Sequence, residues 1–397
     1  MSTATDPPVN PQRRDQSSYK GLLVWMILGG VAGYFGAMLG KPLLPQWLPT
    51  MGLSRTDLVG VLVAFPFVYL LTIAVHEFGH LAAALASGFQ FRVLTIGPFS
   101  LVSTADGLQC RTAWSAMRVI GGQQISAPPP GGASNGRYLL YLAGGGLANI
   151  AMALLLLLAA FAWTLPPMVL GICLLFAGMN LLLGPMNLLP LSTQHGVRTD
   201  GHNMRTLLRG GEPAMRFRAL FELIGHTFTG VRPRTWRDGL LRELLLGEPN
   251  ALESAIAHLM ALQVAFDRSE PEAIRAACEH LRPAYAEVPL ALRGQFAAEL
   301  ATAYALFLDD AAEAALFGAD VTAKSYLISP ATVERGRAVV AWSHGRHAEC
   351  AAAIARGRAA LLRSTTELDR VMEAHWFDVI ERTMVARSVA LPADTKL

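Results

Sequence analysis

The sequence predicts an all-α polytopic membrane protein with a short β or re-entrant segment, followed by a soluble α-helical domain. Two observations lead to this fold class. Of the 397 residues, 52% are hydrophobic and only 16% are charged, whereas soluble globular domains are about 25% charged. The apolar residues are concentrated in long uncharged windows within the first half of the chain, and charged residues return to an ordinary density beyond about Arg205.

Four of these windows are long enough to cross a bilayer, because a hydrocarbon core of about 30 Å requires about 20 residues of helix. They cover residues 21–40, 58–75, 138–163 and 166–191. Residues 1–20 are polar and proline-rich, and no small-residue cleavage site follows the first window. We therefore expect a disordered N-terminal segment and a first span that is retained as an anchor.

Basic residues indicate that both ends of the chain are cytoplasmic. They precede the first window and follow the second and fourth, and cytoplasmic loops carry the excess of Lys and Arg. These residues are Arg13, Arg14, Lys20, Arg92, Arg111, Arg118, Arg137, Arg198, Arg205, Arg209, Arg216 and Arg218. We expect a multi-pass protein of the plasma membrane, the inner membrane in a bacterium, with a membrane domain at 21–204 and a connecting segment at 205–239. The net charge of +3 gives no reason to expect a nucleic-acid partner.

Residues 240–397 are expected to form a cytoplasmic helical domain. Apolar residues recur three and four positions apart, and prolines and a glycine separate the periodic segments. The alanine-rich helices and the turn WSHGR, which begins at Trp342, are similar to tetratricopeptide-type helical hairpins, although no regular period of about 34 residues is present. The domain is either a module that binds a protein partner or a compact cap on the membrane domain.

The segment TIAVHEFGHLAAALASG, residues 72–88, carries ionisable side chains where a charged group costs at least about 2.5 kcal/mol. His76 and His80 are four residues apart, so on a helix both imidazoles lie on one face and can bind one Zn²⁺ at about 2.0–2.1 Å. Glu77 is adjacent to them and suited to act as a general base. The alternative is a set of polar residues at a helix end that bond to their neighbours.

A catalytic zinc site needs a third protein ligand, and the segment after the fourth window offers three. Asp200 is followed by Gly201, which permits a sharp turn, while His195 and His202 are competing donors. Spacing alone leaves all three open. The four cysteines form no C-x-x-C pair, so a thiolate metal site is not expected. Asn180, within the fourth window, is interpreted as a residue that forms hydrogen bonds between helices.

Several motifs together resemble one known family. HEFGH is followed, after two further windows, by N-x-x-P at 187–190 and by D-G at 200–201. The segments AGGGLANIAMALL, GFQFRVLTIGP and IGGQQI agree with the same pattern. Over residues 58–204 the chain resembles the site-2 protease family of intramembrane zinc metalloproteases. One departure is that Asp200 lies thirteen residues after Asn187, five more than in the family's motif.

The resemblance implies roles for individual residues. The implied zinc ligands are His76, His80 and Asp200. The longer spacing leaves His195 or His202 as replacements for Asp200. Glu77 would be the general base for zinc-bound water, and Asn187 and Asn149 would contact the substrate backbone or the developing oxyanion. The alternative for Asn149 is a residue that forms hydrogen bonds between helices.

The expected function is hydrolysis of peptide bonds in transmembrane or membrane-proximal protein substrates, in regulated intramembrane proteolysis. An extended substrate would dock along residues 89–102, which otherwise form an ordinary hairpin, or beside Gly121 and Gly122. The alternative is a non-proteolytic membrane scaffold with a structural or degenerate zinc site, which binds partners through its helical domain. An ion transporter is disfavoured because the other three windows contain no histidine and no charged residue.

Overall fold

The computed structural model describes residues 52, 54–104, 107–112, 121–129, 131–192, 198–247, 251–288, 290–322, 328–364 and 366–390. Within these ranges the chain is mostly α-helical and contains one small antiparallel sheet. The chain divides into two compact units, Met1–Pro66 with Leu156–Leu175 and Phe67–Leu155 with Phe176–Leu397. The second unit contains the sheet and all the residues of the candidate site.

Three helices are long and apolar enough to cross a membrane: α1 (Arg55–Ala86), α2 (Asn135–Ala162) and α3 (Pro167–Leu188). Large apolar side chains on these helices are exposed, as expected for helices that face lipid. Examples are Leu62, Phe67, Leu155, Phe161 and Leu182. The second, third and fourth windows are therefore helical as predicted, and α1 continues past its window through the HEFGH motif. The first window and the N-terminal segment lie outside the described residues.

A four-stranded antiparallel sheet follows α1 in the chain. Its strands are β1 (Gln90–Ile96), β2 (Phe99–Thr104), β3 (Gly107–Thr112) and β4 (Gly122–Ala127). The order in the sheet is β3-β2-β1-β4, so β4 is an edge strand beside β1. Gly97, with a φ of 54°, lies in the turn between β1 and β2, and its N–H donates to Gly121 O. The predicted short β segment is thus confirmed, and residues 89–102 form a hairpin.

Glycines allow the three apolar helices to approach one another closely. A Cβ atom on Gly79 of α1 would overlap the carbonyl O of Gly144 in α2, and the reverse substitution would overlap Gly79 O. Two residues later, on the opposite side of α2, Gly146 lies close to Gly184 of α3. Small residues at such crossings let van der Waals contacts and hydrogen bonds form between helix backbones. The glycine cluster of α2 therefore fixes this helix between α1 and α3.

Ten further helices occupy the described residues that follow α3. They are α4 (Asp200–Arg209), α5 (Gly211–Thr229), α6 (Asp238–Leu244), α7 (Ala251–Arg268), α8 (Pro271–Ala284), α9 (Leu290–Leu306), α10 (Ala311–Gly318), α11 (Pro330–Ser343), α12 (His347–Ala360) and α13 (Glu367–Ala390). Successive helices pack in pairs, α7 with α8, α9 with α10 and α11 with α12. Phe266, Trp342 and Trp376 lie in one shared core. The region is helical as predicted, and its likeness to tetratricopeptide hairpins stays a prediction.

A buried ion network joins three of these helices. Arg335 of α11 is fully buried and lies 3.2 Å from the Glu299 carboxylate of α9 and 2.9 Å from that of Glu373 in α13. Burial lowers the pKa of Arg335, but the two carboxylates raise it more, and the net pKa is above the usual value. The guanidinium is thus the counter-charge for two acids that have no access to bulk water.

Replacing Arg335 by methionine should lower the free energy of unfolding by about 3–5 kcal/mol, because both acids would stay buried without their partner. Urea unfolding followed by tryptophan fluorescence measures the change. The matched control is Arg282→Met, which removes an exposed ion pair with Glu313 and should cost less than about 1 kcal/mol. Equal losses in the two variants would contradict the structural role of the network.

Candidate metal centre

Helix α1 presents the two imidazoles of the HEFGH motif side by side. His76, Glu77 and His80 are all buried, each with 7% of its surface exposed. The Nε2 atoms of His76 and His80 are 3.1 Å apart, and their rings meet edge to face. The predicted one-face arrangement of the two histidines is therefore present in the structure.

Asp200 completes the group from the start of α4. Its Oδ2 lies 3.4 Å from His76 Nε2 and 3.2 Å from His80 Nε2. Ligands at about 2.0–2.1 Å around a tetrahedral zinc ion are separated by roughly 3.3 Å. The three donor atoms thus form one face of a tetrahedron of the right size, and this group could hold a metal ion.

The hydrogen bonds behind the imidazoles define their tautomers. His76 Nδ1 is 2.7 Å from Asn149 Oδ1, and His80 Nδ1 is 2.8 Å from the backbone O of Tyr141. Both partners are acceptors, so each Nδ1 carries a proton, and in the neutral ring Nε2 has the lone pair. When both rings are neutral, two lone pairs and a carboxylate therefore face one another in this buried site. A bound cation is what satisfies such a set of donors.

Asp200 is held in place by the residues beside it. Thr199 precedes α4 and accepts a hydrogen bond from His202 N–H, while its own hydroxyl donates to Leu189 O at the end of α3. A Cβ atom on Gly201 would overlap the carbonyl O of Leu188, so a glycine is required for α4 to start this close to α3. In the D-G pair, Asp200 is therefore the candidate ligand, and Gly201 is needed for the packing of α4 against α3.

Within the long interval between Asn187 and Asp200, two positions pair with each other. Ser192 and Arg198 form an antiparallel bridge, and Thr199 N–H donates to Leu191 O. Residues 191–192 and 198–199 are thus adjacent in space. The five residues between Ser192 and Arg198 lie outside the described residues, and they do not displace Asp200 from the imidazoles.

His195 and His202 are the two alternatives to Asp200 as the third metal ligand. His195 lies outside the described residues. His202 lies on the first turn of α4, and among the described residues it does not belong to the His76, His80 and Asp200 group. Burial and the positive charges of Arg198 and Arg205 lower the pKa of His202.

Burial raises the pKa of Asp200, but the two imidazoles lower it more, to about 2. Its carboxylate is therefore ionised and available as a ligand at neutral pH.

Glu77 lies between the metal group and β4. It interacts electrostatically with His76, His80 and Asp200, and a Cβ atom on Gly122 would lie 2.7 Å from Glu77 Oε1. The strand is held here because the Tyr141 hydroxyl donates a 3.0 Å hydrogen bond to Gln124 O. (Only a glycine at the start of β4 permits this approach.) The predicted general base and the predicted substrate-docking segment are thus neighbours.

The two asparagines predicted to contact substrate lie in different surroundings. Asn149 is fully buried and hydrogen-bonded to His76, Asn180 and Thr72 O. Its observed contacts orient a metal ligand, and a contact with substrate stays a prediction. Asn187 is in the last turn of α3 and is partly exposed. Its predicted role also stays a prediction.

Sequence reasoning missed the contribution of Gly145. A Cβ atom there would overlap His80 Nε2 and come within 2.7 Å of His76 Cε1. The glycine therefore leaves the space in which the imidazoles stand. The triple glycine of α2 was a signal for close packing, but nothing in its spacing distinguished Gly145 from its two neighbours.

This chain matches no protein-family model, no curated protein and no solved structure. The geometry of the site and the motifs are therefore the basis on which a function is inferred.

Gly145→Ala should weaken Zn²⁺ binding at least about tenfold, because the added methyl group displaces both imidazoles. Competition with a chromophoric chelator measures the affinity. Gly178→Ala is the matched control, since a Cβ atom there meets nothing within 4 Å. Undiminished affinity in Gly145→Ala would show that the imidazoles do not stand where the structure has them.

Asp200→Ala should lose most of its bound metal, whereas His195→Ala and His202→Ala should keep it, because Asp200 alone of the three lies with His76 and His80 among the described residues. Metal content of the purified variants after dialysis against Zn²⁺ is the measurement. Loss of metal in His195→Ala with retention in Asp200→Ala would reverse the assignment.

Proposed function

We propose that this protein is an intramembrane zinc metalloprotease of the site-2 protease type. The observation that carries the proposal is the convergence of two imidazoles, a carboxylate ligand and a separate buried glutamate among helices apolar enough to cross a membrane. Buried ionisable groups in such helices mark functional sites by default. The motif resemblance over residues 58–204 supports the same conclusion independently of the geometry.

Zinc is the metal that the donor set suits best. Two neutral imidazoles and one carboxylate are typical of catalytic zinc sites, which keep a fourth position open for water or substrate. When bound, the ion supplies Lewis acidity, which polarises a carbonyl group and lowers the pKa of water. His76 and His80 would bind it through Nε2, and Asp200 through a carboxylate oxygen.

Glu77 would serve as the general base and then as the general acid. It would take a proton from the attacking water as the oxygen bonds to the scissile carbonyl carbon, and deliver that proton to the leaving nitrogen as the C–N bond breaks. Its position outside the metal group but within electrostatic reach of it suits this task. Water enters from the side of Asp200, whose side chain is 19% exposed.

The substrate would bind as an extended strand along β4. A helical substrate segment hides its carbonyl groups in its own hydrogen bonds, so it must unwind before attack. Strands β1 and β2 are each paired on both sides, so the edges of the sheet are β3 and β4. Of these two, β4 lies next to Glu77 and is the proposed docking edge. Of the two docking places expected from the sequence, residues 89–102 or the region of Gly121 and Gly122, the proposal takes the second.

The proposed topology places both termini, the sheet and helices α4–α13 in the cytoplasm. The basic residues that flank the apolar helices support it. The protein would then be a multi-pass protein of the plasma membrane that acts on transmembrane or membrane-proximal proteins, and the helical domain would recruit a substrate or regulator.

Glu77→Gln should keep its zinc and fold but lose cleavage by at least about 10²-fold, because the amide cannot accept the proton. Cleavage of co-reconstituted single-span polypeptides in liposomes, with zinc content measured in parallel, is the test. The matched control is Glu212→Gln, an exposed acid on α5, which should behave as wild type. Unchanged turnover in Glu77→Gln would remove the proposed mechanism.

The second candidate is a non-proteolytic scaffold with a structural metal site, and the long spacing between Asn187 and Asp200 favours it. Structural zinc sites have four protein ligands and no open position. A small hydroxamate would therefore change the absorption spectrum of the Co²⁺-loaded protein if the protein is a protease. An unchanged spectrum would favour the scaffold.

A further inference from the structure

A third asparagine stands behind the metal group without belonging to it. Asn180 lies in the middle of α3 and is fully buried. Its Nδ2 donates to Phe176 O at 2.8 Å, and its Oδ1 accepts from Asn149 Nδ2 at 2.6 Å. Asn149 in turn contacts His76. A chain of hydrogen bonds therefore runs from the backbone of α3, through α2, to a candidate metal ligand on α1.

The contact with Phe176 O determines which atom donates and which accepts in each hydrogen bond of this series. Phe176 O can only accept, so the atom of Asn180 that faces it is the nitrogen, and the oxygen faces Asn149. Asn149 must then present its own nitrogen, whose second N–H is taken by Thr72 O at 3.1 Å. Its oxygen is left to face His76 Nδ1.

These hydrogen bonds determine which nitrogen of His76 is free to bind a metal. Because Asn149 Oδ1 accepts, His76 Nδ1 must donate, and the lone pair of the neutral ring is on Nε2, which faces Asp200 and His80. If the Asn149 amide were reversed, its oxygen would oppose the oxygens of Asn180 and Thr72, and its N–H would favour the other tautomer of His76. His76 Nε2 would then carry the ring proton and could not bind a cation.

We propose that Asn180 is a positioning residue that holds Asn149 in the one orientation that keeps His76 Nε2 free for a metal. It acts through Asn149 and does not touch the metal group. The proposal rests on the metal-binding part of the proposed function and not on proteolysis, and all its measurements are made without a substrate.

The test compares three variants of the full chain in detergent. Asn180→Leu, of similar volume, removes the acceptor and should weaken Zn²⁺ binding about tenfold, in the range that outer-shell changes produce. Asn180→Asp should restore affinity to within about threefold of wild type, since a buried neutral carboxyl group both donates and accepts. Gly178→Ala is the control on the same helix, since a Cβ atom there meets nothing within 4 Å, and it should bind as wild type.

A second measurement is made on the wild-type protein, and a variant serves only to assign the signal. In zinc-free wild-type protein labelled with ¹⁵N-histidine at about pH 8, where free imidazole is neutral, the signal lost in His76→Gln should report a proton on Nδ1. A proton on Nε2 would overturn the proposal. So would wild-type affinity in Asn180→Leu, or equal losses in Asn180→Leu and Asn180→Asp, or a comparable loss in Gly178→Ala. If zinc binding follows the prediction but no substrate is cleaved, the positioning role stands and the protease proposal fails.

Discussion

The structure depends on three electron-pair donors that face one another inside an apolar environment. Two imidazole nitrogens and one carboxylate oxygen, within 3.4 Å of each other, repel unless something positive lies between them. In a low-dielectric surrounding this repulsion is large, and the cost of burying the groups adds to it. The same arrangement that is unfavourable without a cation is well matched to one, as expected of a group that could hold a metal ion.

The rest of the local structure holds these donors at the required separation. Glycines at 79, 144 and 145 let α2 come close enough to α1 for backbone and asparagine acceptors to reach both Nδ1 atoms. Thr199 and Gly201 bring the start of α4 against the end of α3. Gly122 and the Tyr141 hydroxyl hold β4 beside Glu77. Small residues thus determine where the donor atoms and Glu77 lie, although none of these small residues is itself a candidate ligand or base.

Sequence reasoning recovered the features that depend on local spacing. An interval of four residues places His76 and His80 on one helical face, and uncharged windows of sufficient length identify the apolar helices. It could not choose between Asp200 and His202, because that choice depends on how α4 packs against α3. It left Asn149 as either a substrate contact or a residue that forms hydrogen bonds between helices, and it could not identify the partners, His76 and Asn180, because these contacts join three separate helices. Arg335 was missed because a charged residue in an amphipathic pattern is expected to face solvent, and only the meeting of α9, α11 and α13 reveals two carboxylates around it.

The bridge between Ser192 and Arg198 has a consequence for how this region tolerates change over evolution. Since Ser192 pairs with Arg198 and Asp200 lies beside the imidazoles, a change in chain length between Ser192 and Arg198 need not alter the geometry of the metal group. Strict residue counting across this interval is then a poor guide to kinship. Distant homologues would be recognised better by the paired residues that flank the interval than by the number of residues between them.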